Sequence, residues 1–238
     1  MLRQAIGKKI EAANKTFRLR GHEVKRIEAF SDAVFAFAVT LLIVSLEVPK
    51  SFEELMQTMR GFLPFSICFL ILMMIWYEQN IFFRRYGMDD KITIVLNSTL
   101  IFLVLFYVYP LKFLFTVMFS GQIYTNNNSP FEMDPADSST LMLVYGAGFV
   151  FIYLLFLFMY AHALKKKESL ELTSIEAFET RTKIFSNLIF VIIGLSSVIT
   201  ALLLPANISG LAGFIYFTIG PAISFFYSYR ARKRKKLL

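Results

Sequence analysis

The sequence has little of what a water-soluble protein or a metalloenzyme needs. It has one cysteine, Cys68, which excludes a disulfide framework and any cysteine-rich metal site. Only two histidines are present, His22 and His162, and neither lies in a His-Glu-x-x-His motif; Gly-x-Ser-x-Gly is also absent. No catalytic constellation and no cofactor site is expected. Charged residues make up only 18%, against 56% hydrophobic and 16% aromatic, with 27 Phe. A soluble domain is nearer about a quarter charged, and this chain has too few charges to cover its surface. The polar first turns hold no short apolar core, so no cleavable signal peptide is expected.

What is present is long apolar runs, and a bilayer-spanning helix needs about 20 mostly apolar residues. Six stretches qualify: 30–48, 62–83, 92–119, 141–164, 184–204 and 208–229. They are not alternating in the way of a membrane β-barrel. The expected fold is therefore all-α, a polytopic membrane protein with six transmembrane helices, the last two forming a tight hairpin about Pro205. Around it lie a basic N-terminal segment (1–29), the transmembrane domain (30–229) and a basic tail (230–238).

The +8 net charge is explained by topology, and no nucleic-acid partner is expected. Eight basic residues precede Phe30, three lie in the second connection, five in the fourth and six in the tail. The opposite side has only Lys50 and Arg60, with Glu132, Asp134 and Asp137 in its long loop. By the positive-inside rule both termini face the cytoplasm, in a cell membrane. The segment before the first span reads as an amphipathic basic helix, with Arg18, Arg20, Lys25 and Arg26 against anionic lipid. Residues 165–181 read as a solvated helical linker, and Lys112 as a side chain reaching the outer interface.

The first span is unlike the others. It carries Asp32 near its start, alanines at 29, 33, 36 and 38, then Thr40 and Ser45. An unpaired ionisable group inside a membrane costs on the order of 1–3 kcal/mol, and small residues let helices approach closely. Such a helix suits a central position. At 100° per residue Phe37, Leu41 and Val44 share one stripe, with Thr40 beside them and Glu47 further out. One reading is ordinary packing inside a bundle. The other is a pore wall of apolar constrictions (Phe37, Leu41, Val44), a hydroxyl selectivity layer (Thr40) and an acidic outer mouth (Glu47). A network of Asp32 with Arg26, Trp76, Gln79 and Asn97 is expected near the cytoplasmic end.

At Arg26-x-x-x-Phe30-Ser31-Asp32, followed by Ala36-x-Ala38-x-Thr40-Leu41-Leu42, the chain resembles prokaryotic members of the lysosomal potassium channel family, the transmembrane protein 175 type. Trp76, then Asp90 with Asn97, then Pro110 follow in the order of that family. The resemblance implies a homotetramer in membrane lipid around a central pore lined by the first helix. It implies passive conduction of potassium, with other monovalent cations as further candidates, and no Thr-Val-Gly-Tyr-Gly filter. It implies constriction at Phe37, Leu41 and Val44, a Thr40 layer, and anchoring by Arg26, Phe30, Ser31 and Asp32. The chain departs from the family pattern in having the bulkier Phe37 where Ile or Leu is usual, Gln79 where His often stands, and Leu111 after Pro110. A secondary transporter is the alternative, with Gly194, Gly210, Gly213, Gly220 and Pro221 as sites for broken helices. An intramembrane enzyme would require Asp32 and Glu78 to converge.

Overall fold

The computed structural model describes residues 17–44, 50–120 and 135–234, apart from some side chains that include those of Val44 and Arg60. In chain order the elements are α1 (Arg26–Val44), α2 (Phe52–Arg60), α3 (Phe62–Tyr86), α4 (Lys91–Ser120), α5 (Pro135–Lys165), α6 (Ser174–Leu203), a 3-10 stretch (Ala206–Thr218) and α7 (Ile219–Arg234). Among the described residues, five helical segments are long and apolar enough to cross a membrane: Phe62–Tyr86, Lys91–Met118, Ser139–Lys165, Ser174–Leu203 and Ile208–Arg234. The protein is an all-α, multi-pass membrane protein.

Two groups of helices make up the fold. α1, α3 and α4 pack on one another as a triangle, while α5, α6, the 3-10 stretch and α7 form the second group, joined to the first mainly by α4 against α5. Close approach of α5 to α6 depends on glycine. A Cβ on Gly146 would lie 2.4 Å from Val198 Cγ2, and one on Gly194 would lie 2.7 Å from Val150 Cγ2. Small residues at these crossings bring the two backbones together.

Helix ends follow local chemistry. Thr173 caps α6 through a capping box with Glu176, so this helix starts in the polar linker and runs without interruption into the apolar stretch. Gly87 ends α3 with φ of 56°, its N–H donating to the Phe83 carbonyl. The next carbonyl, Arg84 O, accepts from both Arg20 N and Gly21 N at 3.1 Å. Thus the chain ahead of α1 satisfies backbone acceptors at the end of α3 that would otherwise be exposed to a poorly solvated environment.

That contact corrects one expectation. Residues 17–25 are not helical; Arg18, His22, Glu23 and Val24 are exposed, while Phe17 and Arg20 turn inward. Phe17 is buried edge-on against Tyr86, and Arg20 pairs with Glu176 at 2.8 Å. Both groups are largely withdrawn from water, which suits a charge-assisted hydrogen bond. The linker is also different from expectation: residues 166–171 form turns and only the part from Ser174 is helical. The short helix α2 has no counterpart in the sequence reading. Lys112 points inward, its Nζ donating to the Leu42 carbonyl at 2.7 Å.

Candidate functional site

The structure divides α1 cleanly into two faces. Ser31, Phe35, Ala38 and Leu42, spaced i, i+4, i+7 and i+11, are buried against α3 and α4. On the other face Arg26, Phe30, Ala33, Phe37 and Thr40 are exposed, and Leu41 is half-buried between the two. Phe30 is 60% and Phe37 56% exposed. Large aromatics are thus presented away from the protomer by a helix whose opposite face is fully packed. The Thr40 hydroxyl donates to the Ala36 carbonyl at 2.9 Å, which leaves its oxygen lone pairs as acceptors. Val44 ends the described helix, and its side chain and Glu47 lie outside the described residues.

The buried face is fixed by a chain of polar contacts. Ser31 Oγ donates to the Ile27 carbonyl at 2.7 Å. Asn97 Nδ2 of α4 donates to Ser31 Oγ at 2.8 Å, and Gln79 Nε2 of α3 donates to Asn97 Oδ1 at 2.6 Å. All three side chains are buried. In an apolar surrounding such groups must pair, and pairing them requires one rotation of α1 about its axis. A second contact, from Trp76 Nε1 to Asp32 Oδ1 at 2.7 Å, joins α1 to α3 nearer the surface. The expected network therefore exists as two separate pieces. Arg26 joins neither among the described residues; it is exposed beside them.

Trp76 and Glu78 are two residues apart and so point about 200° apart around α3. Accordingly Glu78 faces the second helix group, where Lys183 Nζ donates to both its oxygens at 2.8 and 2.7 Å and Tyr160 Oη donates at 2.6 Å. Asp32 and Glu78 form no carboxylate pair. No group of three or more His, Cys, Asp or Glu side chains suited to a metal occurs among the described residues.

Three further contacts escaped sequence reasoning. Arg20 Nη1 and Nη2 donate to the two Glu176 oxygens at 3.1 and 2.8 Å, and Arg18 N donates to Oε1 at 2.6 Å. His162 Nε2 lies 2.8 Å from Asp90 Oδ2, with Lys166 Nζ at 3.4 Å. Burial acts to raise the Asp90 pKa, but hydrogen bonds from Thr93 and His162 and the positive neighbours outweigh it, holding the carboxyl down at about 2. Lys112 makes the third, to Leu42. None carries a local signal, since the partners of Arg20 and His162 lie far away in sequence.

Comparison with known proteins agrees with this architecture. The family described as "Endosomal/lysosomal potassium channel TMEM175" matches residues 26–110, which run from α1 to Pro110 in α4. A protein of Marivirga tractuosa named as a potassium channel is 41% identical over 236 residues, covering 94% of this chain and 95% of that protein. A potassium channel of Chamaesiphon minutus is 31% identical over 96 residues, covering 37% of this chain and 47% of that one. Among solved structures, the potassium channel MtTMEM175, as a variant bound to a nanobody fusion, superposes with a TM-score of 0.80 at 40% identity, covering 92% of this chain and 98% of that one. With 41% identity over nearly the full length of both chains and a matching helical architecture, the chain belongs to the TMEM175 family of potassium channels.

Proposed function

We propose that the protein is a passive, potassium-preferring cation channel, a homotetramer of six-span subunits in which α1 lines the central pore. The observation that carries this reading is the unpartnered face of α1, with Phe37 56% exposed on a helix whose other face is held by the buried Ser31–Asn97–Gln79 chain. A lipid-facing helix has no need of a buried polar chain fixing its rotation. A pore-lining helix does, because the side chains that set the pore's width must point to the axis in every subunit.

In this arrangement Phe37, Leu41 and Val44 form successive apolar rings, Thr40 a ring of hydroxyls, and Glu47 an acidic outer mouth. Apolar rings hold back water and pass ions only when the opening is wide enough for a partly hydrated cation. Thr40, with its hydrogen committed to Ala36, turns an oxygen toward the axis, where it replaces part of the hydration shell. Ser31 and Asp32, with Trp76, Gln79 and Asn97, anchor the helix, while Arg26 and Phe30 are exposed on it. The six-span count adds the first apolar run of the sequence, 30–48, to the five longer segments. Both termini then face the cytoplasm, the side with most of the basic residues, and the basic segments 1–29 and 230–238 flank the channel domain.

The test is the reversal potential of the purified protein in a planar bilayer, with potassium on one side and sodium on the other. A current reversing toward the potassium equilibrium potential is expected. Flux that saturates and follows a proton gradient would sink the channel reading in favour of a transporter. Against that alternative, α6 runs unbroken through Gly194, although the last span changes from 3-10 to α geometry at Ile219, just ahead of Gly220-Pro221.

A further inference from the structure

At the membrane end where α3 finishes and α6 begins, a cavity of about 290 Å³ opens between α3, α6 and α7. Four of its lining side chains are basic, Arg85, Lys183, Arg230 and Arg234, against one carboxylate, Glu179. Lys183 is neutralised by Glu78 at 2.7 Å. Glu179 is shared between Arg234 at 3.4 Å and Arg85 at 4.0 Å, both longer than a direct charge-assisted hydrogen bond of about 2.7–2.9 Å. Among the described residues Arg230 hydrogen-bonds only to neutral partners: its Nε and Nη2 donate to Thr182 Oγ1 at 2.9 and 2.7 Å, Nη2 also to the Phe178 carbonyl at 3.0 Å. Its guanidinium lies 3.9 Å from the centre of the Phe178 ring, which holds the fork in place. Arg234 Nε is buried with no acceptor among the described residues. The cavity therefore carries excess positive charge and an unused, buried donor.

Its depth identifies the counter-charge. α6 has 30 residues and at 1.5 Å per residue is about 45 Å long, against a hydrocarbon core of about 30 Å. Its first turns, which include Phe178 and Thr182, consequently stand at the level of the headgroups. Beyond the cavity toward the apolar part of α6 and α7, Phe185 is 48% and Phe225 78% exposed, a surface suited to acyl chains. We propose that this cavity binds the phosphate of an anionic phospholipid headgroup, with Arg230 and Arg234 donating to its oxygens and the acyl chains lying along Phe185 and Phe225. The proposal requires that these helices span a bilayer; it does not depend on which helix lines the pore.

Native mass spectrometry of the detergent-purified channel, titrated with phosphatidylglycerol or phosphatidylcholine of matched chain length, tests this. The wild type should retain phosphatidylglycerol preferentially, and each of Arg230→Gln and Arg234→Gln should weaken that retention by about fivefold, the effect of one basic group near an anionic headgroup. Glu179→Gln, which removes the competing carboxylate, should tighten it, an effect that misfolding would not mimic. Equal retention of the two lipids would overturn the proposal. So would arginine variants that bind as the wild type does, or no tightening in Glu179→Gln. Displacement of the lipid by inorganic phosphate would overturn the lipid source and assign the cavity to a soluble anion. Conduction is not read in this experiment, so its failure and that of the channel reading are separable.

Discussion

Phe37 and Thr40 stand three residues apart on the exposed face of α1, and the two have different tasks in the proposed pore. An aromatic ring at a constriction excludes by size, whereas a hydroxyl oxygen discriminates by how well it replaces water. Phe37→Ala should therefore raise conductance and lower the preference for potassium over sodium, read as a larger current and a reversal potential closer to zero. Wild-type behaviour in both respects would remove Phe37 from the pore. Thr40→Val, nearly equal in shape, should leave conductance high while lowering selectivity, because it deletes the oxygen that the Ala36 bond orients. On the buried face the logic is that of hydrogen-bond partners. Asn97→Leu strands Gln79 Nε2 among apolar neighbours and leaves Ser31 Oγ only its bond to the Ile27 carbonyl, and should cost about 1–3 kcal/mol. Adding Gln79→Leu removes the stranded group, so the double variant should recover part of that loss. Thermal unfolding in detergent would measure both, and a double variant less stable than the single would show that these side chains do not act as a chain.

Between elements, the clip that holds the chain ahead of α1 was not legible in the sequence, whereas the spans were. An apolar stretch of about 20 residues has one common explanation, so α3 to α6 fall close to their expected positions. Alternation of small, polar and aromatic residues along α1 likewise marked it as unusual, and Ser31, Gln79 and Asn97 were recognisable as buried polar groups needing partners. Which partner each would find was not, because rotation about a helix axis depends on packing. Arg20 meets Glu176 across 156 residues, and no local pattern distinguishes it from the other basic residues near it. Its surroundings predict its importance once seen: Glu176 also closes the α6 capping box. Glu176→Gln should weaken the ion pair and the cap together, and exceed the roughly 1 kcal/mol expected for Thr173→Ala, which removes the cap alone. Equal losses in the two variants would show that Arg20 contributes little. The Asp90 contact to α5 makes a pH prediction of fixed sign. Its carboxyl is held below its ordinary value, so the stabilisation is complete above about pH 4 and is lost as the pH falls toward about 2. Asp90→Asn should flatten that part of the stability profile, while leaving it unchanged would place the acid transition elsewhere.

For the molecule as a whole, the question is what covers the exposed face of α1. In a single protomer this face puts Phe30 and Phe37 outward, yet the same helix carries Asp32 and Arg26, which acyl chains would not solvate. In the proposed fourfold arrangement, α1 helices around an axis turn their Phe37 rings toward one another and leave the Arg26 and Asp32 end facing water at the pore's entrance. In that proposal, symmetric closure of one repeated surface covers the face without a second type of protein. The expected mass in mild detergent is therefore about four times 27.4 kDa, and a cysteine introduced at Ala33, near the axis, should cross-link between subunits. Ala33→Cys in the Cys68→Ser background isolates this reaction, since Cys68 is buried within the protomer. A protein that remains monomeric with active conduction would refute the shared pore, and a tetramer whose Ala33→Cys variant forms no cross-link would place another helix at the axis. Dimers linked through Ala33→Cys within a tetrameric mass would tie the exposed stripe of α1 to assembly.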